Sequence, residues 1–112
     1  MQLNVTENSG VVVLEVLGSI MGGPDATQIN DEVHKFMRQG KKHFVVNMKS
    51  IDLINSSGLG ILISNLTNVK SNGGDLRLAN ASAKIKQILQ ITKLATVFKQ
   101  FDSVDAAVKS FA

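Results

Sequence analysis

Hydrophobic positions along the chain alternate between strand-like and helix-like spacing. Residues 5–7 close a short first strand and Asn8-Ser9-Gly10 turns the chain. Val11-Val12-Val13-Leu14-Glu15-Val16-Leu17 is β-branched and nearly continuous, the pattern of a strand buried on both faces. Two strands about a short turn predict a β-hairpin. Gly18-Ser19-Ile20-Met21-Gly22-Gly23-Pro24 breaks the pattern and reads as a loop, with Pro24 suited to the first turn of a helix. Over residues 25–39, Ala26, Ile29, Val33, Phe36 and Met37 recur at helical spacing. Asp25, Asp31 and Glu32 precede Lys35 and Arg38, as the helix dipole favours, and Gly40 suits the helix end.

Residues 41–48 form the next apolar run, followed by Ile51-Asp52-Leu53-Ile54-Asn55-Ser56-Ser57-Gly58-Leu59-Gly60, read as a loop opening into a helix over roughly 57–71. Leu59, Leu62, Ile63, Leu66 and Val69 give that helix one apolar face, and Asn72-Gly73-Gly74 stops it. Asp75-Leu76-Arg77-Leu78-Ala79 alternates as a short strand. A helix separates it from the strand before, so its partner is expected elsewhere. Ser82 is placed to cap a helix carrying Ile85, Ile88 and Leu89. Thr92-Lys93-Leu94 is a turn, residues 97–101 a short extended piece, and Asp102-Ser103-Val104-Asp105 resembles a capping box before a last helix with Val104, Ala107, Val108 and Phe111. The order β-β-α-β-α-β-α-(β)-α predicts an α/β domain, with a mixed sheet of four to five strands and helices packed around it.

The 112 residues suffice for one domain with one core, and a chain 44% hydrophobic and 19% charged is expected to fold. The net charge of +3 comes from basic residues spread from Lys35 to Lys109, a solvated surface and not a nucleic-acid stripe. The absence of tryptophan and tyrosine leaves few platforms for stacking bases. No cysteine is present, which excludes disulfide and thiolate chemistry and fits a cytoplasmic protein. Met1-Gln2-Leu3-Asn4 has no basic flank, so no signal peptide is expected, and no apolar run reaches membrane-spanning length.

The chemistry concentrates where the central strand turns into a helix. Such a junction leaves free backbone N–H groups and the positive end of a dipole, a place suited to an anion. Ser56 and Ser57 stand there, and either hydroxyl could cap the helix. Gly58 and Gly60, lacking side chains, would let another protein approach closely. His34 and His43 have no metal-like partners at short spacing, and Asp31-Glu32 reads as a solvated helix face. Neither Gly22-Gly23 nor Gly73-Gly74 has the spacing of a phosphate-binding loop, and no Ser-His-Asp constellation emerges. Nothing here predicts an enzyme or a metal site.

The hairpin, the Gly18-containing loop, Asn55-Ser56-Ser57-Gly58-Leu59-Gly60 and the Asn72-Gly73-Gly74 helix end together resemble the STAS domain, and most nearly the bacterial anti-sigma-factor antagonists. The likeness spans essentially residues 1–112 as one domain. The family motif is Asp-Ser-(Ser/Thr)-Gly-Leu-Gly, matched here except at Asn55. The resemblance implies that Ser56 is phosphorylated by a partner anti-sigma factor that is also a serine kinase. The unphosphorylated form would bind that partner and release a sigma factor, and a separate phosphatase would reset the switch. It implies a partner surface of Ile20, Met21, Gly22, Asn55, Ser57, Gly58 and Leu59; Ile20 and Met21 either stand exposed there or fold back into the core. It implies no cofactor on this chain, since ATP would sit on the kinase, and a monomer when free.

Two departures stand out. Asn55 supplies no negative charge, so if the kinase needs a carboxylate there, the protein would be a constitutive antagonist. The loop after the second strand lacks the aspartate of the family's Gly-x-(Leu/Ile)-Asp. STAS domains also serve as scaffolds of stress-signalling complexes or accessory subunits of lipid-transport machines, where Ser56 would stay unmodified. A small-ligand binder on the same scaffold is a further alternative, which a deep pocket with converging titratable groups would favour.

Overall fold

A computed structural model describes residues 1–112. β1 (Gln2–Asn8) and β2 (Val11–Ile20) form the expected hairpin. Its two turn residues, Ser9 and Gly10, both have positive φ (53° and 82°). That is the turn whose twist matches two antiparallel strands. After the hairpin come α1 (Pro24–Arg38), β3 (His43–Asn47), β4 (Ile51–Ile54), α2 (Ser56–Ser71), β5 (Asp75–Ala79), α3 (Ala83–Ile91), β6 (Gln100–Phe101) and α4 (Val104–Lys109).

The sheet runs β1-β2-β3-β5-β6, antiparallel only between β1 and β2. β4 also pairs with β2 in parallel, beyond the reach of β3. The mixed α/β class is as expected, but the strands number six. Three readings of the sequence are corrected. Gly18–Ile20 is strand and not loop, because β2 bends at Gly18 (φ 91°) and continues against β4. Residues 51–54 are likewise a strand. β5 pairs with β3, the strand that precedes β4 and α2. The helix does not keep them apart; it is the crossover that makes their parallel pairing possible.

Alternation along β2 splits the apolar residues between two layers. Val12, Leu14 and Val16 face the main core with Phe44, Val46, Leu76 and Leu78, beneath Ile29 and Val33 of α1, Leu62, Leu66 and Val69 of α2, and Ile85 and Leu89 of α3. Val11, Val13, Val45 and Ala79 face the other way, covered by Ala107 and Val108 of α4. This is why the run 11–17 shows no polar alternation: both faces of the strand are covered.

The helix ends follow local chemistry. Ser82 caps α3 by accepting from the Ile85 N–H at 3.2 Å. Ser103 caps α4 by accepting from the Ala106 N–H at 3.0 Å. Gly40 (φ 85°) ends α1, and Gly73 (φ 85°) ends α2. Gly74 then lies so close to the Lys42 carbonyl that a Cβ would overlap it.

Leu62 is fully buried between α2 and the sheet. Leu62→Ala is expected to cost about 2–5 kcal/mol, read as a lower urea midpoint at unchanged slope.

Candidate functional site

The C-terminal ends of β2 and β4 lie side by side, with Ile20 opposite Ile54. The chain leaving β2 and the chain entering α2 therefore emerge together. They approach closely because Gly58 has no side chain: a Cβ there would overlap the Ile20 carbonyl and lie 2.9 Å from the Ile54 Cγ1. Gly22 meets α2 in the same way, since a Cβ on it would stand 3.0 Å from the Ser57 Cβ. The loop after β2 is thus folded against the start of α2, the proximity expected from the sequence.

The helix cap is Asn55 and neither serine. Its Oδ1 accepts from the Gly58 N–H at 2.8 Å. Its Nδ2 donates to the Met21 carbonyl at 3.2 Å. Its own N–H reaches the Ile20 carbonyl at 3.4 Å. Across the loop, the Met21 N–H donates to the Asp25 Oδ2 at 2.9 Å. Both polar groups of Met21's backbone are therefore held by side chains, one from α1 and one from the β4–α2 junction. With the cap supplied by Asn55, Ser56 is the first residue of α2, exposed, its hydroxyl making no hydrogen bond within the chain. Ser57 is exposed as well.

The residues singled out from the sequence divide into two sets. Met21 (43% exposed), Ser56 and Ser57 are at the surface, with Gly22 and Asn55 half-buried beside them. Ile20, Gly58 and Leu59 are buried. Of the two placements open to Ile20 and Met21, each takes one: Ile20, the last residue of β2, points into the main core and is fully covered, while Met21 is exposed. Gly58 is small for an internal reason, the Ile20 carbonyl. Gly60 is the glycine that faces outward, exposed, with open space where a side chain would begin. Sequence reasoning gave Asp25 only to the helix dipole and overlooked Leu53, 40% exposed on β4 just ahead of the site. The first was visible as a carboxylate four residues after Met21. The second needed β4 to be recognised as a strand.

No group of three or more His, Cys, Asp or Glu residues is placed to hold a metal ion. A cavity of about 320 Å³ lies at the opposite end of the sheet, between Ser9, Val11 and His43 at the strand starts and Val108, Lys109 and Phe111 of the C-terminal segment. There the His43 ring stacks on Phe111 at 4.5 Å, and the Arg77 guanidinium lies 3.9 Å from the same ring. These are packing contacts, remote from Ser56. No helix is long and apolar enough to cross a membrane.

The sequence matches the STAS domain family over residues 2–107, and the chain belongs to that family. A relative from Thermotoga maritima, carrying the provisional name of anti-sigma factor antagonist, is 24% identical over 75 residues, 67% of this chain and 66% of its own length. The matched part therefore spans just under two thirds of that relative. The anti-sigma-B factor antagonist of Bacillus subtilis is 25% identical over 108 residues, covering 96% of this chain and 92% of the relative. Among solved structures, one from Thermotoga maritima superposes with a TM-score of 0.86 at 21% identity, over 96% of this chain and 92% of that one. The antagonist SpoIIAA, solved unphosphorylated, gives 0.75 at 16% identity over 97% and 96% of the two chains. The Bacillus SpoIIAA in its phosphorylated form gives 0.77 at 17% identity over 99% and 100%. At such identities these superpositions establish the fold.

The two glycines of α2's first turns should respond oppositely to a methyl group. Gly58→Ala, forced against the Ile20 carbonyl, is expected to lose about 1–3 kcal/mol of stability. Gly60→Ala, in open space within a helix, is expected to gain about 0.5–1 kcal/mol. Thermal or urea unfolding of the two variants reads both signs.

Proposed function

We propose that this chain is an anti-sigma-factor antagonist whose unphosphorylated form binds a serine-kinase anti-sigma factor and is switched off by phosphorylation of Ser56. The choice of Ser56 over Ser57 rests on its place directly after Asn55 in the motif, and one observation supports an available hydroxyl there. Asn55 meets the helix's need for a cap, so the Ser56 hydroxyl is exposed and free for transfer. The names of the relatives support the general role.

The physics of the junction supports a switch that acts on binding and spares the fold. A phosphoserine carries about −1.5 to −2 charges at neutral pH. At the first turn of a helix such charge is favourable by about 0.3–1 kcal/mol. Burying the same anion unpaired against a docked protein costs several kcal/mol, and about 1.4 kcal/mol is a factor of ten in affinity. The similar superpositions of the phosphorylated and unphosphorylated SpoIIAA on this fold are in keeping with that division. Surface-accessible Met21, Gly22, Asn55 and Ser57 would form the contact around Ser56, while Ile20, Gly58 and Leu59 shape it from beneath. A phosphatase would restore the binding form.

The amide at Asn55 favours a second reading. Without a carboxylate beside the serine, a kinase that requires one would leave Ser56 unmodified. The chain would then be a constitutive antagonist or a scaffold subunit.

Incubation with the serine-kinase anti-sigma factor and ATP, followed by mass spectrometry, separates the readings. One phosphate on Ser56 is expected, absent from Ser56→Ala. Phosphate on Ser57 overturns the residue assignment, and no phosphate favours the second reading. The phosphorylated protein is expected to melt within a few degrees of the unmodified one, since the helix-end effect is only about 0.3–1 kcal/mol. It should bind the anti-sigma factor at least about a hundredfold more weakly.

A further inference from the structure

We propose that Asn55 is a two-ended positioning residue whose amide locks the Met21–Gly23 loop over the start of α2, so that asparagine and aspartate are not interchangeable at this place. The proposal deepens the reading above, because the locked loop is what a docking partner would meet beside Ser56.

The two ends of the side chain do different work. Oδ1 accepts from the Gly58 N–H at 2.8 Å, a cap that an aspartate makes equally well. Nδ2 donates to the Met21 carbonyl at 3.2 Å. An ionised aspartate only accepts, so it would set a second acceptor against that carbonyl and repel it. The loop's other ties run to the start of α1, where the Gly22 carbonyl accepts from the Asp25 N–H at 3.2 Å and the Gly23 carbonyl from the Ala26 N–H at 3.0 Å, so Asn55 is its hydrogen-bonded link to the β4–α2 junction. Gly22 and Gly23 both lie at positive φ (105° and 57°), and the Met21 N–H is held by the Asp25 carboxylate at 2.9 Å. Amide and carboxylate thus grip one peptide segment from opposite sides. Between them they hold out an apolar side chain, Met21, 43% exposed. A contact residue fixed before binding loses less freedom on binding, which raises affinity without a new contact. Asn55 therefore acts on partner recognition through the loop.

Amide hydrogen exchange by NMR on the full chain tests the lock without any partner. In Asn55→Ala, the Met21 and Gly58 amides should both exchange at least about tenfold faster than in the unaltered protein. In Asn55→Asp, only the Met21 amide should, because the cap on Gly58 survives. Asn55→Asp should melt close to the unaltered protein, so a folding defect does not confuse the result. A Met21 amide as protected in Asn55→Asp as in the unaltered chain overturns the lock. With the serine-kinase anti-sigma factor as probe, Asn55→Asp should bind about tenfold or more weakly. Unchanged affinity alongside faster exchange overturns the positioning role. If the unaltered chain itself binds no anti-sigma factor, the function proposed above fails, and the exchange comparison still decides the lock.

Discussion

Nothing but hydrogen separates the Gly58 α-carbon from the carbonyl at the end of β2. That contact sets how near α2 begins to the sheet, and much else follows from it. β4 must end where it does, with Ile54 beside Ile20, for the helix to start there. The loop after β2 is then pressed against Ser57, and Asn55 is placed between two backbones, close enough to bond to both. A side chain at position 58 would push these pieces apart together.

The layer above the sheet anchors the junction by packing. α2 buries residues along most of its length against β2, β4 and β5, so its first turn is not an end free to fray. Membership of the STAS family gives a context for such a surface, and the chain's own geometry adds detail that the motif does not contain. The exposed part of the site is small: two serines, a methionine and the edge of an asparagine.

Much of this was legible in the sequence. The apolar run 11–17 named the central strand, the glycines at 40 and 73 named two helix ends, and Ser82 was a cap as its position suggested. What was not legible had physical causes. Residues 51–54 form too short a run to show a period, and their strand character comes from pairing with β2 across more than thirty residues of chain. The sequence left Ile20 open between surface and core because it sits among glycines; a bend at Gly18 carries β2 onward and turns that side chain inward. The cap was sought in two serines because they begin the helix. Asn55, one residue earlier, takes it, and its second bond to Met21 depends on a fold no local pattern encodes.

Gly74, at the far end of α2, lies against the Lys42 carbonyl as closely as Gly58 does against that of Ile20. A side chain at either place would force the chain at that end of α2 away from the strand beside it, so the helix is seated on the sheet through two glycines.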